Sequence, residues 1–85
     1  MQITVYSSPG CLACEEVKDI LDANNLSYES FVVATPEQPS EGDITHEEFH
    51  SQHSFVWMMP YITSDDNVKI AGLPTFKKWM KQLGY

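Results

Sequence analysis

Within the first 34 residues a strand, a turn, a helix and a second strand follow one another, and the helix opens on a Cys-x-x-Cys pair; no other feature restricts the possible folds as much. Gln2 to Tyr6 alternates apolar and polar residues and is rich in β-formers, which predicts a strand. Ser7-Ser8-Pro9-Gly10 is a turn signal. From Cys11 onward Cys14, Val17, Ile20 and Leu21 recur at helical spacing, while Glu15, Glu16, Lys18, Asp19 and Asp22 take the outward positions. The helix is predicted to run through Ala23 and stop at Asn24-Asn25, because Asn tolerates the left-handed conformation that ends many helices. Leu26 to Ala34, with Tyr28, Phe31, Val32 and Val33, predicts a second strand. Two strands joined through a helix lie parallel, connected by a right-handed crossover.

The rest of the chain extends that unit. Thr35 to Asp43 reads as a loop through Pro36, Pro39 and Gly42. Thr45-His46-Glu47-Glu48 fits a capping box, opening a short helix that ends near Gln52. Met59 to Thr63 and Asn67 to Ala71 predict two short strands, joined as a hairpin through Ser64-Asp65-Asp66. A final helix starts near Pro74, with Phe76, Trp79, Met80 and Leu83 as its buried stripe. The expected architecture is α/β: a mixed four-stranded sheet flanked by three helices, in the order βαβαββα, as one domain over residues 1–85.

Charge narrows the possible partners. Five lysines against twelve Asp and Glu leave a net charge of −7, which repels nucleic acid and anionic lipid. The segment from Met1 to Tyr6 lacks a basic lead into an apolar run, and no apolar stretch reaches bilayer length, so a cytoplasmic protein without membrane contact is expected. Thiols are kept reduced in that compartment, which makes a chemical role for two cysteines more natural than a structural staple.

Cys11-Leu12-Ala13-Cys14 stands where the strand ends and the helix begins. A thiol there meets unpaired backbone N–H groups and the positive end of the helix dipole, both of which favour the thiolate. Cys11 is the expected nucleophile. Cys14, nearly one turn further in, is the expected resolving thiol: Cys11 attacks a substrate disulfide and Cys14 displaces the reduced product. Other uses of the pair compete. Zinc requires four ligands, and neither a second cysteine pair nor a nearby histidine supplies them. Two inert buried cysteines, or an iron–sulfur cluster shared across a dimer, are compatible with the same pair.

His46-Glu47-Glu48-Phe49-His50 matches H-E-x-x-H, the pattern of helical zinc proteases, and His53 is spaced to be a third ligand. The helix is short and the chain small, so a solvated helix face is the expected reading, with no metal site. Phe55 to Tyr61, including Trp57-Met58-Met59, is rich in large apolar side chains, divided between core and an exposed rim suited to a protein partner.

The Cys-x-x-Cys after the first strand, Met59-Pro60 opening the third and Ala71-Gly72 ending the fourth together resemble glutaredoxins, particularly the short bacterial and bacteriophage-encoded ones, over nearly the whole chain. The resemblance implies a thioredoxin-like fold and a thiol–disulfide oxidoreductase with glutathione as co-substrate and no tightly bound cofactor. It implies that Cys11 attacks and Cys14 resolves. Pro60 is implied to be a cis-proline, and the backbone of Met59 to pair with the cysteinyl part of glutathione. Leu12, Ala13 and Met58 flank that groove by the same implication, and Gly72, Leu73, Pro74 and Thr75 receive a glutathione carboxylate. Disulfide-bearing proteins such as ribonucleotide reductase are the implied partners of a monomer.

Several departures from the family pattern remove a polar or charged handle for glutathione. Leu12 and Ala13 stand where Pro and Tyr are common, and Ser8 and Glu16 where basic residues are. Met58-Met59 replaces Thr-Val, Ala71 replaces a glycine, and Thr75 replaces an Asp. These changes imply weak glutathione binding, and Glu15 and Glu16 are expected to oppose a Cys11 thiolate by like-charge repulsion. Two alternatives follow: a redoxin reduced by thioredoxin reductase, and a redoxin-fold binding module without thiol turnover.

Overall fold

The computed structural model describes residues 2–38, 40–53 and 58–85. Strand β1 is Ile3–Ser7, helix α1 is Leu12–Ala23, β2 is Tyr28–Val32, α2 is His46–Gln52, β3 is Tyr61–Ser64, β4 is Lys69–Ala71 and α3 is Leu73–Gln82. The four strands form one sheet in the order β2-β1-β3-β4. β1 and β2 are parallel, and β1–β3 and β3–β4 are antiparallel. The predicted element order and mixed sheet are therefore both present.

The alternation in β1 sorts its side chains between two cores. Ile3 and Val5 face one side, where Val17 and Leu21 of α1, Ile62 and Ile70 of the hairpin, and Phe76 and Met80 of α3 close the main core. Tyr6 faces the other side, against Phe49 of α2, Val33 and Tyr61. Burying a side chain such as Phe76 contributes about 2–3 kcal/mol. An exposed ion pair such as Lys77–Glu16, at 3.0 Å between α3 and α1, contributes under about 1 kcal/mol. Apolar packing, not charge, holds the two helices to the sheet.

Both long helices end as their sequences dictate. Asn25 takes φ 57°, its N–H donating to the Asp22 carbonyl and the Leu26 N–H to the Leu21 carbonyl. Gly84, at φ 94°, makes the same motif after α3, with Tyr85 N–H donating to the Met80 carbonyl. The Thr45 hydroxyl accepts from the Glu48 N–H at 3.1 Å and so starts α2 as predicted.

Several predicted boundaries are corrected. β1 is displaced by one residue toward Ser7. β2 covers Tyr28–Val32 rather than Leu26–Ala34: Leu26 still belongs to the exit of α1, and after the Val33 N–H donates to the Ser7 carbonyl the backbone bonds to the returning loop. There Asp43 N–H donates to the Val32 carbonyl at 2.7 Å, and the Val32 N–H donates to the Asp43 carboxylate at 2.9 Å. The hairpin strands are shorter than predicted, because Met59 and Pro60 form the bend into β3 and Asn67, at φ 63°, belongs to the turn. α3 begins at Leu73, with Pro74 in its first turn. Leu83 is not buried; it caps α3 just beyond the last helical residue and is 42% exposed.

Candidate active site

A four-residue turn carries the chain from β1 into α1. Cys11 N–H donates to the Ser8 carbonyl at 3.3 Å, with Pro9 second in the turn and Gly10 third at φ 72°, a conformation that suits glycine. The turn delivers Cys11 to the N-cap of α1, in extended backbone, where its Sγ accepts from the Cys14 N–H at 3.2 Å. A sulfur at that position receives the donor that a Ser or Asp oxygen takes at an ordinary cap. On reduction the same N–H and the dipole of α1 stabilise an anionic sulfur.

Cys11 and Cys14 are joined in a disulfide, their Cα atoms 5.3 Å apart. The two sulfurs differ in access: Cys11 is partly exposed, whereas Cys14 is 1% exposed. The more exposed cysteine is the one expected from the sequence to attack, and the buried one is the one expected to resolve. The expected repulsion from Glu15 and Glu16 is moderated, because Glu15 pairs with Lys18 at 3.2 Å and Glu16 with Lys77.

The sheet register brings the segments that hold the other residues implied by the resemblance to the end of β1. Tyr6 pairs with Tyr61 and Tyr61 with Ala71, so the starts of β3 and α3 arrive beside the end of β1. The Met59–Pro60 peptide is cis and Pro60 is buried, as the resemblance implied. Gly72 N–H donates to the Pro60 carbonyl at 2.8 Å. Leu12 is the most exposed large apolar residue named at the site, at 85%, and Ala13 is half-buried behind it. Met58 is exposed, Met59 and Leu73 are half-buried, and Pro74 and Thr75 are exposed. The run from Phe55 to Tyr61 divides: Met58 is on the surface and Tyr61 in the core, while residues 54–57, including Trp57, lie outside the described residues.

On the α2 side a cavity of about 190 Å³ opens among Ser8, Thr35, His46, His50, Met58 and Met59. Its walls come from four segments, so no sequence periodicity announced it. The His46 and His50 rings lie 4.2 Å apart at its edge. His53 does not join them as a third ligand; it packs with Tyr6, Phe49 and Tyr61 at 5.1–5.4 Å between ring centroids. Burial, and secondarily the Lys69 charge, lowers the His53 imidazole from its ordinary value of 6.5. Among the described residues no group of three or more His, Cys, Asp or Glu is arranged to hold a metal, and no helix is long and apolar enough to cross a membrane.

Comparison with known proteins agrees with this geometry. The chain is similar in fold to a glutaredoxin 1 from Francisella tularensis solved with cacodylate, with TM-score 0.75 and 18% identity, over 96% of this chain and 94% of that one. It is also similar to the thioredoxin-like protein BC3987, with TM-score 0.64 and 25% identity, over 95% and 97% of the two chains. A point mutant of BC3987 gives TM-score 0.65 and 24% identity over 96% and 99%. No curated protein matches significantly. Fold and dithiol together define a thioredoxin-like protein whose cysteine pair cycles between thiol and disulfide. Residues 3–42, which include both cysteines, match the model of the glutaredoxin family, whose members are thiol–disulfide oxidoreductases.

Proposed function

We propose that the protein reduces disulfides at Cys11 and Cys14 with glutathione as its electron source. The observation that carries this reading is the difference in burial within the pair: a partly exposed cysteine at the N-cap, bonded to one that is 1% exposed. The Cys11 thiolate attacks one sulfur of a substrate disulfide and expels the other as a thiolate, leaving a mixed disulfide on Cys11. Cys14, after losing its proton, attacks the Cys11 sulfur and releases the second substrate thiolate, which closes the Cys11–Cys14 bond. Two glutathione molecules reverse the change: the first takes Cys11 into a mixed disulfide and frees Cys14, and the second leaves as oxidised glutathione and restores the Cys11 thiolate.

In this reading the tripeptide lies against Leu12 and Ala13, pairs with the backbone of Met59 beside Pro60 and Met58, and directs a carboxylate toward Gly72, Leu73, Pro74 and Thr75. Protein disulfides, that of a ribonucleotide reductase among them, are the substrates of a cytoplasmic monomer. The second reading, reduction by thioredoxin reductase, draws support from the 85% exposure of Leu12 beside the attacking sulfur, an apolar surface suited to a protein.

The test is to reduce the oxidised chain with glutathione, glutathione reductase and NADPH, and in parallel with thioredoxin reductase and NADPH. Faster turnover with glutathione is expected. Turnover with thioredoxin reductase alone would transfer the role to the second reading. A Cys11→Ser variant that kept full biological function while losing reductase activity would instead identify a docking module.

A further inference from the structure

Two segments on either side of the β3–β4 hairpin meet near the end of β1 that leads to the disulfide: the approach to β3 and the opening of α3. The Gly72–Pro60 hydrogen bond holds them together. Met58 lies across this join. A Cβ built on Gly72 would fall 2.6 Å from the Met58 Sδ and 3.8 Å from its Cγ, with Pro74 Cδ at 3.9 Å. The thioether therefore rests on the Gly72 Cα. Gly72 itself is buried, while Met58 is 39% exposed, so the methionine covers the glycine from the solvent side.

We propose that Met58 is a gate over the α3 end of the groove and that it sets the dithiol's preference against glutathione and toward protein disulfides. This rests on the reading that residues 72–75 receive a glutathione carboxylate. To reach them the carboxylate must displace an apolar group that offers it no hydrogen bond and must give up water beside it. The methionine moves readily, having three rotatable bonds and a polarizable sulfur, but its contact with Gly72 is lost each time. A polypeptide that engages only the Met59 backbone leaves the gate shut and gains apolar contact with Met58 and the exposed Leu12. Gly72 is required for the closed arrangement, since any side chain there collides with the thioether.

The experiment measures reduction of the oxidised full-length chain by glutathione and, separately, by dithiothreitol, which needs no carboxylate subsite. Wild type is compared with Met58→Ala, Met58→Thr and Met58→Leu. Both short replacements are expected to lower the apparent KM for glutathione by about three-fold or more and to raise the glutathione-to-dithiothreitol rate ratio accordingly, with kcat less affected. Met58→Leu, which keeps the bulk without the sulfur, is expected to keep the wild-type KM. An unchanged or higher KM in the short variants, with wild type reduced by glutathione, overturns the gate and leaves the electron source intact. Should dithiothreitol reduce every chain and glutathione none, the glutathione reading fails and the gate falls with it.

Discussion

The two sulfurs carry the same chemistry in different surroundings, and the difference is testable one residue at a time. Replacing the inner one, Cys14→Ser, leaves an attacking thiol with no resolving partner, so with a disulfide substrate and no glutathione present the mixed disulfide between Cys11 and the substrate is expected to accumulate. Mass spectrometry of the quenched reaction reads the adduct; a variant that releases product as fast as wild type would show that Cys14 does not resolve. His53 offers a second test. The unfolded chain takes up a proton near the ordinary histidine value while the folded one, with its imidazole held lower, does not. Stability from this site is thus complete above that ordinary value and is lost as pH falls toward the lower folded one. His53→Phe keeps a ring beside Tyr6, Phe49 and Tyr61 and removes the titration. The fall in Tm between about pH 7.5 and about pH 5.5 is expected to be smaller in the variant, and an equal fall would contradict the assignment.

At the scale of elements, the returning loop after β2 sits closer to the sheet than its composition suggests. A Cβ on Gly42 would meet the Ala34 nitrogen at 2.5 Å and the Val32 carbonyl oxygen at 2.7 Å, both backbone atoms that have little room to yield. Gly42→Ala is expected to cost about 1–3 kcal/mol in urea unfolding. A loss within experimental error would show that the loop shifts freely. The same loop marks where reading the chain locally stopped working. Helices were legible because their signals are local: Asn25 at an exit, Thr45 at an entrance, and apolar residues at helical spacing. The ends of β2 and β3 were not, because Asp43 takes over pairing with Val32 and Met59 and Pro60 lie in the bend before β3. At the site, Cys11 and Cys14 were legible from the motif and its neighbours. The cavity beside His46 gathers segments dozens of residues apart, and the cover over Gly72 joins the two ends of the hairpin, and no local pattern encodes such meetings.

The molecule as a whole carries a net charge of −7, and that field acts on anything that approaches Cys11. Reduced protein is expected to react faster with the cationic disulfide cystamine than with the anionic dithiodiglycolate. The ratio is expected to shrink as salt rises from about 20 mM to about 500 mM, where the screening length falls to a few ångströms. A ratio independent of salt would mean that Lys18 and Lys77 offset the acidic surface locally. The depth of Cys14 has one more consequence, for damage. A peroxide reaches Cys11 first and oxidises it to a sulfenic acid, the last stage that a neighbouring thiol repairs unaided. Cys14, shielded at 1% exposure, then attacks that sulfur and expels water, so the oxidant is consumed in making the disulfide the protein already uses. The arrangement acts as a fuse: the sulfur most open to irreversible oxidation is the one its sheltered neighbour stands ready to rescue.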